Sequence, residues 1–298
     1  MKPNLITLRV WGDFACFTRP EMKVERVSYP IMTPSAARGI LEAVFWVPQM
    51  FYLIDSIRVV KRGRWVSFRR NEVNDVISLT NAKQWMESPE NVKFIQADDS
   101  GRKEAVLDSD RNVIDPKRPA VRAQRNMLAL QDVEYLITAE VCTTPLANRP
   151  EDKLEKYLSE IERRARQGKC FHRPGLGMRE FAADFEWEPD AVVAHARRTA
   201  ELGRIAEPFN EDLGLMLYDV FDHQERAHGF RWLHDSEISN AAISNPPPKG
   251  RAKKTVAQPS RWTRPPIKPQ AAFFHAKIES SRMDCHPDRV LTPKGGGN

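Results

Sequence analysis

The chain has 298 residues, 41% hydrophobic and 29% charged, and its 46 Lys and Arg against 40 Asp and Glu give a net charge of +6. These are the proportions of a soluble protein with enough length for one large domain and an appendage, or for two small ones, and a modest basic excess matters only if it clusters on one face. No apolar run approaches membrane-spanning length, the N-terminus lacks a secretory h-region, and four scattered cysteines without a C-x-x-C pair fit a reducing cytoplasm better than a zinc site or a disulfide framework.

Taken in order, Ile6, Leu8 and Val10 alternate with Thr7, Arg9 and Trp11, which predicts a first strand with one buried face. Gly12 interrupts it, and Asp13 to Phe17 resumes an extended pattern. Thr33 as N-cap and Pro34 at the first helical position predict a helix running to Trp46 and stopped by Pro48. Ala37, Ile40, Leu41 and Val44 form its core face and leave Arg38 and Glu42 outward. Phe51 to Lys61 is a second strand, followed by a basic turn, Lys61-Arg62-Gly63-Arg64, and a further extended run from Trp65 to Arg70. One reading of that run is a projecting hairpin that grips single-stranded RNA, with Trp65 and Phe68 as stacking platforms and Arg64, Arg69 and Arg70 on phosphates. An amphipathic hairpin whose basic edge discourages aggregation fits the same residues equally well.

Val76 to Asp115 reads as a loop-rich part of an insertion spanning about 61–120. Val133, Tyr135, Ile137, Ala139 and Val141 then alternate with Glu134, Leu136, Thr138 and Glu140 as a half-buried strand. Leu154, Tyr157, Leu158, Ile161 and Ala165 recur at helical spacing, predicting a helix over about Glu151 to Gln167 that ends at Gly168. Met178 to Trp187 returns to strand. This order is the split βαβ of an α+β, ferredoxin-like (RRM-like) domain over 1–190. Residues 191–298 read as a smaller β-rich subdomain: a helical stretch from Asp190 to Ala206, a strand from Leu213 to Phe221, a basic Pro-rich linker over about 244–270 and a strand from Ala271 to Ile278.

Three motifs carry a resemblance: GDFACFTRPEMKVERVSYPIMTPSAARGILEA in the first strand, loop and helix, RRNEV at Arg69 to Val73, and GKCFHRPGLGMREF at Gly168 to Phe181. In that order they closely resemble the type I-C subunit of the fifth CRISPR-associated protein family, a member of the RNA-binding RAMP superfamily. The resemblance implies a ferredoxin-like fold that binds the 5′ handle of CRISPR RNA in a Cascade complex and cuts the precursor RNA without a metal or other cofactor. It also implies contact with the backbone and large subunits of Cascade, with target DNA reached only through the complex and no membrane contact. In the family pattern the catalytic set is a Tyr directly before the helix Trp and a Lys-His pair. The matching positions here read Phe45 before Trp46, and Lys156 followed by Tyr157.

Such cleavage needs a ribose 2′-hydroxyl activated, a phosphate stabilised and a 5′-oxygen protonated. Phe45 has no ionisable group; Tyr157 is a candidate catalytic proton donor beside Lys156, while its helical phase equally suits a core tyrosine with its ring turned inward. His172, beside Arg173 and ahead of two glycines suited to close approach by a phosphate, is a second route to acid–base chemistry or an RNA contact. No His, Cys or carboxylate stands at metal-ligand spacing from it. Lys153, Lys156, Arg163 and Arg164 off the helix's apolar stripe, with Lys169 and Arg173 beyond it, predict a backbone-binding surface that Arg19, Lys23 and Arg26 extend. Two rival functions fit these residues: a non-catalytic subunit that caps RNA processed elsewhere, and a ferredoxin-like enzyme of a small anionic substrate.

Overall fold

A computed structural model describes residues 4–22, 24–73, 79–89, 106–107, 113–115, 122–144, 146–203, 208–221 and 270–291. Lys23 and the Pro-rich stretch 244–269 lie outside the described residues. The chain begins with β1 (Leu5–Ala15), β2 (Arg26–Val27), α1 (Pro34–Val44), β3 (Met50–Lys61) and β4 (Arg64–Val73). There follow α2 (Leu79–Glu87), β5 (Val106–Leu107), β6 (Val113–Asp115), β7 (Arg122–Thr143), α3 (Leu154–Arg166), β8 (Asp184–Glu188) and α4 (Ala191–Leu202). The last elements are β9 (Glu211–Phe221), β10 (Gln270–Glu279), β11 (Arg282–Asp284) and the short α5 (Pro287–Val290).

One large sheet runs β8-β1-β7-β3-β11-β10-β9 with antiparallel neighbours throughout. Its axis is β7, whose later half pairs with β1 on one side and β3 on the other, Leu8 opposite Ile137 and Ile57 opposite Ile137. Helices α1 and α3 cover one face through Ile40, Leu41, Val44, Tyr157, Ile161 and Ala165, which pack on Leu8, Val10, Tyr135 and Ile137. Because strand side chains alternate, the other face carries Val60 and Leu136 against Ala194 and Leu202 of α4. The strand predicted to be half-buried is therefore covered on both sides. Its Glu134, only 1% exposed, receives Arg9 at 2.7 Å and Arg198 at 2.7 and 2.8 Å. Burial alone would raise that carboxyl, but the two guanidinium partners outweigh it and hold it below its ordinary value.

The basic turn after β3 does not reverse the chain. β4 continues along the same edge of β7, with Lys61 opposite Glu134 and Arg64 opposite Gln131, down to Val73 opposite Arg122. The ribbon's true second arm is thus the early half of β7, some sixty residues away in sequence. The break is a shared kink: Gly63 has φ +81° and Asp132 has φ 58°, and a Cβ on Gly63 would meet Val133 at 2.7 Å and the Gln131 carbonyl at 2.9 Å. Lys61 and Arg62 of the expected basic turn pair with Asp132 and Glu211.

Several other expectations change. β1 is continuous through Gly12, which is glycine because a Cβ would lie 2.6 Å from Leu176 and 2.7 Å from the Ala182 carbonyl. α1 stops at Val44 rather than Trp46, and Arg38 turns inward to pair with Asp219 of β9 at 2.7 Å. The stretch expected to be loop holds α2 and a two-stranded ribbon of β5 and β6. The strand predicted over Met178 to Trp187 is extended only from Asp184, as β8, because Pro174 to Ala183 folds across the end of β1 instead.

Candidate functional site

A groove of about 560 Å³ opens where the end of α1 meets the start of α3, within the size range of ligand sites. Phe45 makes one wall because α1 ends there: its φ of −155° is extended while its N–H still bonds Leu41. The Tyr52 hydroxyl donates to the Phe45 carbonyl at 2.7 Å and holds that exit in place. Val47 and Gln49 line it too, together with Arg149, Lys156 and Arg163, the carboxylates Glu151, Asp152 and Glu160, and Tyr157.

The amphipathic phase of α3 sorts its side chains. Tyr157 turns into the core, as the helical spacing predicts, and only its hydroxyl reaches the groove side, donating to Asp152 Oδ1 at 2.9 Å. Burial, then that bond and the Asp152 charge, push the phenol up to about 12, so at neutral pH it keeps its proton. Asp152 is nearly buried, with a side chain 6% exposed, and its Oδ1 also lies 3.9 Å from Lys156 Nζ. Its other oxygen accepts from the Arg149 N–H at 3.3 Å. Lys156, 54% exposed, is thus a cation at the groove with one carboxylate behind it.

The arginines off the apolar stripe are not independent charges. Glu160 binds Arg163 and Arg164, both at 2.7 Å, and these bonds hold its carboxyl down to about 2, while Arg166 pairs with Glu162. Lys153, Lys169, His172 and Arg173 are exposed. The N–H groups of Phe171 and His172 both donate to the Ala43 carbonyl, at 2.8 and 3.1 Å, which ties the start of the glycine-containing loop to the end of α1. Its glycines serve packing: Gly177, at φ +81°, lies on the Cys16 carbonyl, and Gly175 lies over Met178. The sequence reading of them as a phosphate approach gives way to this contact.

The other expected RNA residues lie along the sheet, far from the groove. Gln49 and Met50 sit beside Thr143 and Thr144 at one end of β7, whereas Arg64 to Arg70 face Gln131 to Arg125 toward the other. Trp65 is 50% exposed and Arg64 and Arg69 are exposed, but Phe68 is wedged between Phe14 and Phe181, with centroids at 5.1 and 6.1 Å. Arg70 is held by both oxygens of Glu180. Arg26 points at the Met178 sulfur, and Arg19 lies over Tyr29 near Glu21. Lys156 and Arg163 share a groove; Trp65 and Arg69 lie apart from it on one face of β4, with Arg64 on the opposite face.

The model of the Cas5d family, described as "CRISPR-associated protein (Cas_Cas5)", matches residues 5–253. The chain belongs to the Cas5d family. Two relatives, from Mannheimia succiniciproducens and Thermus thermophilus, are each named "CRISPR pre-crRNA endoribonuclease Cas5d". The first is 39% identical over 82% of this chain and 96% of its own length, the second 37% identical over 95% and 92%. A solved structure titled "Crystal Structure of CRISPR-associated Protein" is 18% identical, with a TM-score of 0.43 over 72% of this chain and 79% of that one.

In this Cas5d family member every groove residue falls inside the matched span. Reading the sequence missed Asp152, whose signal was only an acidic residue just before a helix start, and Phe171, hidden beside the more conspicuous His172. It also missed Arg149, which becomes relevant only once the groove is closed. Among the described residues no cluster of three His, Cys, Asp or Glu could hold a metal.

Proposed function

We propose that this chain is a pre-crRNA endoribonuclease that keeps hold of the 5′ handle it generates, as a cytoplasmic subunit of a Cascade complex with backbone and large subunits as neighbours. The observation that carries this reading is Lys156, an exposed cation set in a groove between an aromatic wall and Arg149 and Arg163, in a chain 37–39% identical to two proteins named for that activity. The order β1-α1-β3-β7-α3-β8, with strands placed β8-β1-β7-β3, supports a ferredoxin-like RAMP core. No helix among the described residues is long and apolar enough to cross a membrane.

In this mechanism the 2′-oxygen attacks the adjacent phosphorus as its proton passes to the His172 imidazole, the O2′–P bond forms, and the P–O5′ bond breaks. Lys156 steadies the charge on the phosphate and gives its proton to the departing 5′-oxygen, leaving a 2′,3′-cyclic phosphate and a 5′-hydroxyl. Tyr157 serves as a strut, since its hydroxyl is committed to Asp152.

The capping reading draws on two observations: Phe45 offers no proton, and Tyr157 holds its own up to about 12. Incubation with the repeat RNA in EDTA separates the two. Cleavage at one position supports the nuclease, and tight binding with intact RNA supports the cap. Affinity that does not fall with added salt would point to neither, because phosphate contacts release counterions.

A further inference from the structure

Phe171 is 54% exposed, and a single exposed apolar residue is ordinarily unremarkable. This one is braced from three sides. Its ring runs alongside that of Phe45, with centroids 6.3 Å apart and planes 16° from parallel. The Arg164 guanidinium lies 4.4 Å from the Phe171 centroid and 5.3 Å from that of Phe45, and is itself anchored by Glu160. The backbone on either side of the ring is tied to the Ala43 carbonyl. A fixed ring has little rotamer freedom left to lose, so whatever lands on it gains the contact at small entropic cost.

We infer that Phe171 is a stacking platform for an unpaired nucleobase of the RNA seated in the adjoining groove, an inference that rests on the function proposed above. Continuity supplies the first argument, because Phe45 is at once the groove wall and the neighbour of Phe171. Charge supplies the second. Lys169 and Arg173, each two residues from Phe171 in sequence, are exposed, and cations flanking an aromatic face suit a base with its phosphate better than an apolar protein side chain. Every base has a π-face, so the platform sets the position of the strand without reading its sequence.

The test uses the full chain and its repeat-derived RNA carrying 2-aminopurine at successive positions around the cut. One position should be quenched on binding. Phe171→Ala should abolish that quench and raise Kd roughly 5- to 150-fold, the equivalent of ~1–3 kcal/mol per stacked base. Phe171→Leu, which keeps apolar bulk without a π-face, should behave like Phe171→Ala, and Phe171→Trp should preserve both quench and affinity. Thermal melting confirms that each variant is folded. Unchanged Kd and quenching in Phe171→Ala, or wild-type behaviour of Phe171→Leu, overturns the platform alone. A wild-type protein with no RNA affinity overturns the proposed function and the platform with it.

Discussion

At the scale of single residues the groove divides its work between two neighbours on α3. Lys156 presents its ammonium to the groove while the Tyr157 hydroxyl donates a hydrogen bond to Asp152. Lys156→Ala should therefore slow single-turnover cleavage by about 10²-fold or more, yet leave affinity for RNA with a 2′-deoxy residue at the cut within a few-fold. Tyr157→Phe should cut within about threefold of wild type and lose ~1 kcal/mol of stability in denaturant titration, the usual weight of one hydrogen bond. A Tyr157→Phe protein folded but inactive would assign the phenol a chemical role after all. The same hydroxyl sets a pH dependence. Its folded pKa of about 12 exceeds the ordinary 10, so above pH 10 the folded state holds a proton that the unfolded state releases, and stability declines between about 10 and 12. In Tyr157→Phe that part of the alkaline decline should be absent from melting curves.

At the scale of elements, the glycine-containing loop and the C-terminal strands are held by contacts that can be cut one at a time. Gly177 combines a left-handed backbone with a Cβ position that would strike the Cys16 carbonyl. Gly177→Ala should cost ~2 kcal/mol or more, from the left-handed conformation plus the clash, visible as a lowered Tm. Arg38 of α1 grips Asp219 of β9 with two bonds, at 2.7 and 3.1 Å, with both side chains largely buried. Asp219→Ala should cost about 3 kcal/mol, the low end for breaking a buried pair, because Glu42 still holds Arg38. A loss under 1 kcal/mol would mean the β9 contact is dispensable. Local patterns announced these elements well: the Thr33-Pro34 cap, the α1 core face and the apolar stripe of α3 all stand where periodicity puts them. Arg38 was misread because its partner lies 181 residues away, a distance over which no periodicity carries information.

At the scale of the molecule, the long strand β7 decides what the sequence alone could not. Phe68 reads as an exposed platform until Met127 is placed opposite it and Phe14 and Phe181 close around it. Arg26 reads as an extension of the α3 surface until β2 is placed beside Met127 and Leu128, at the ribbon end of β7. Charge and aromatic content were legible; their division into two surfaces depends on non-local pairing. Family motifs located the groove's Lys156 and Phe45, while the supporting Asp152 emerged only from packing. The central claim is that the α1–α3 groove cuts RNA through Lys156. It is tested most directly by single-turnover incubation of repeat RNA in EDTA with wild type and Lys156→Ala, analysing the product ends. The account predicts one cut leaving a 2′,3′-cyclic phosphate and a 5′-hydroxyl, lost in the variant while binding persists. Intact RNA with the wild type, or an undiminished rate in Lys156→Ala, would contradict it.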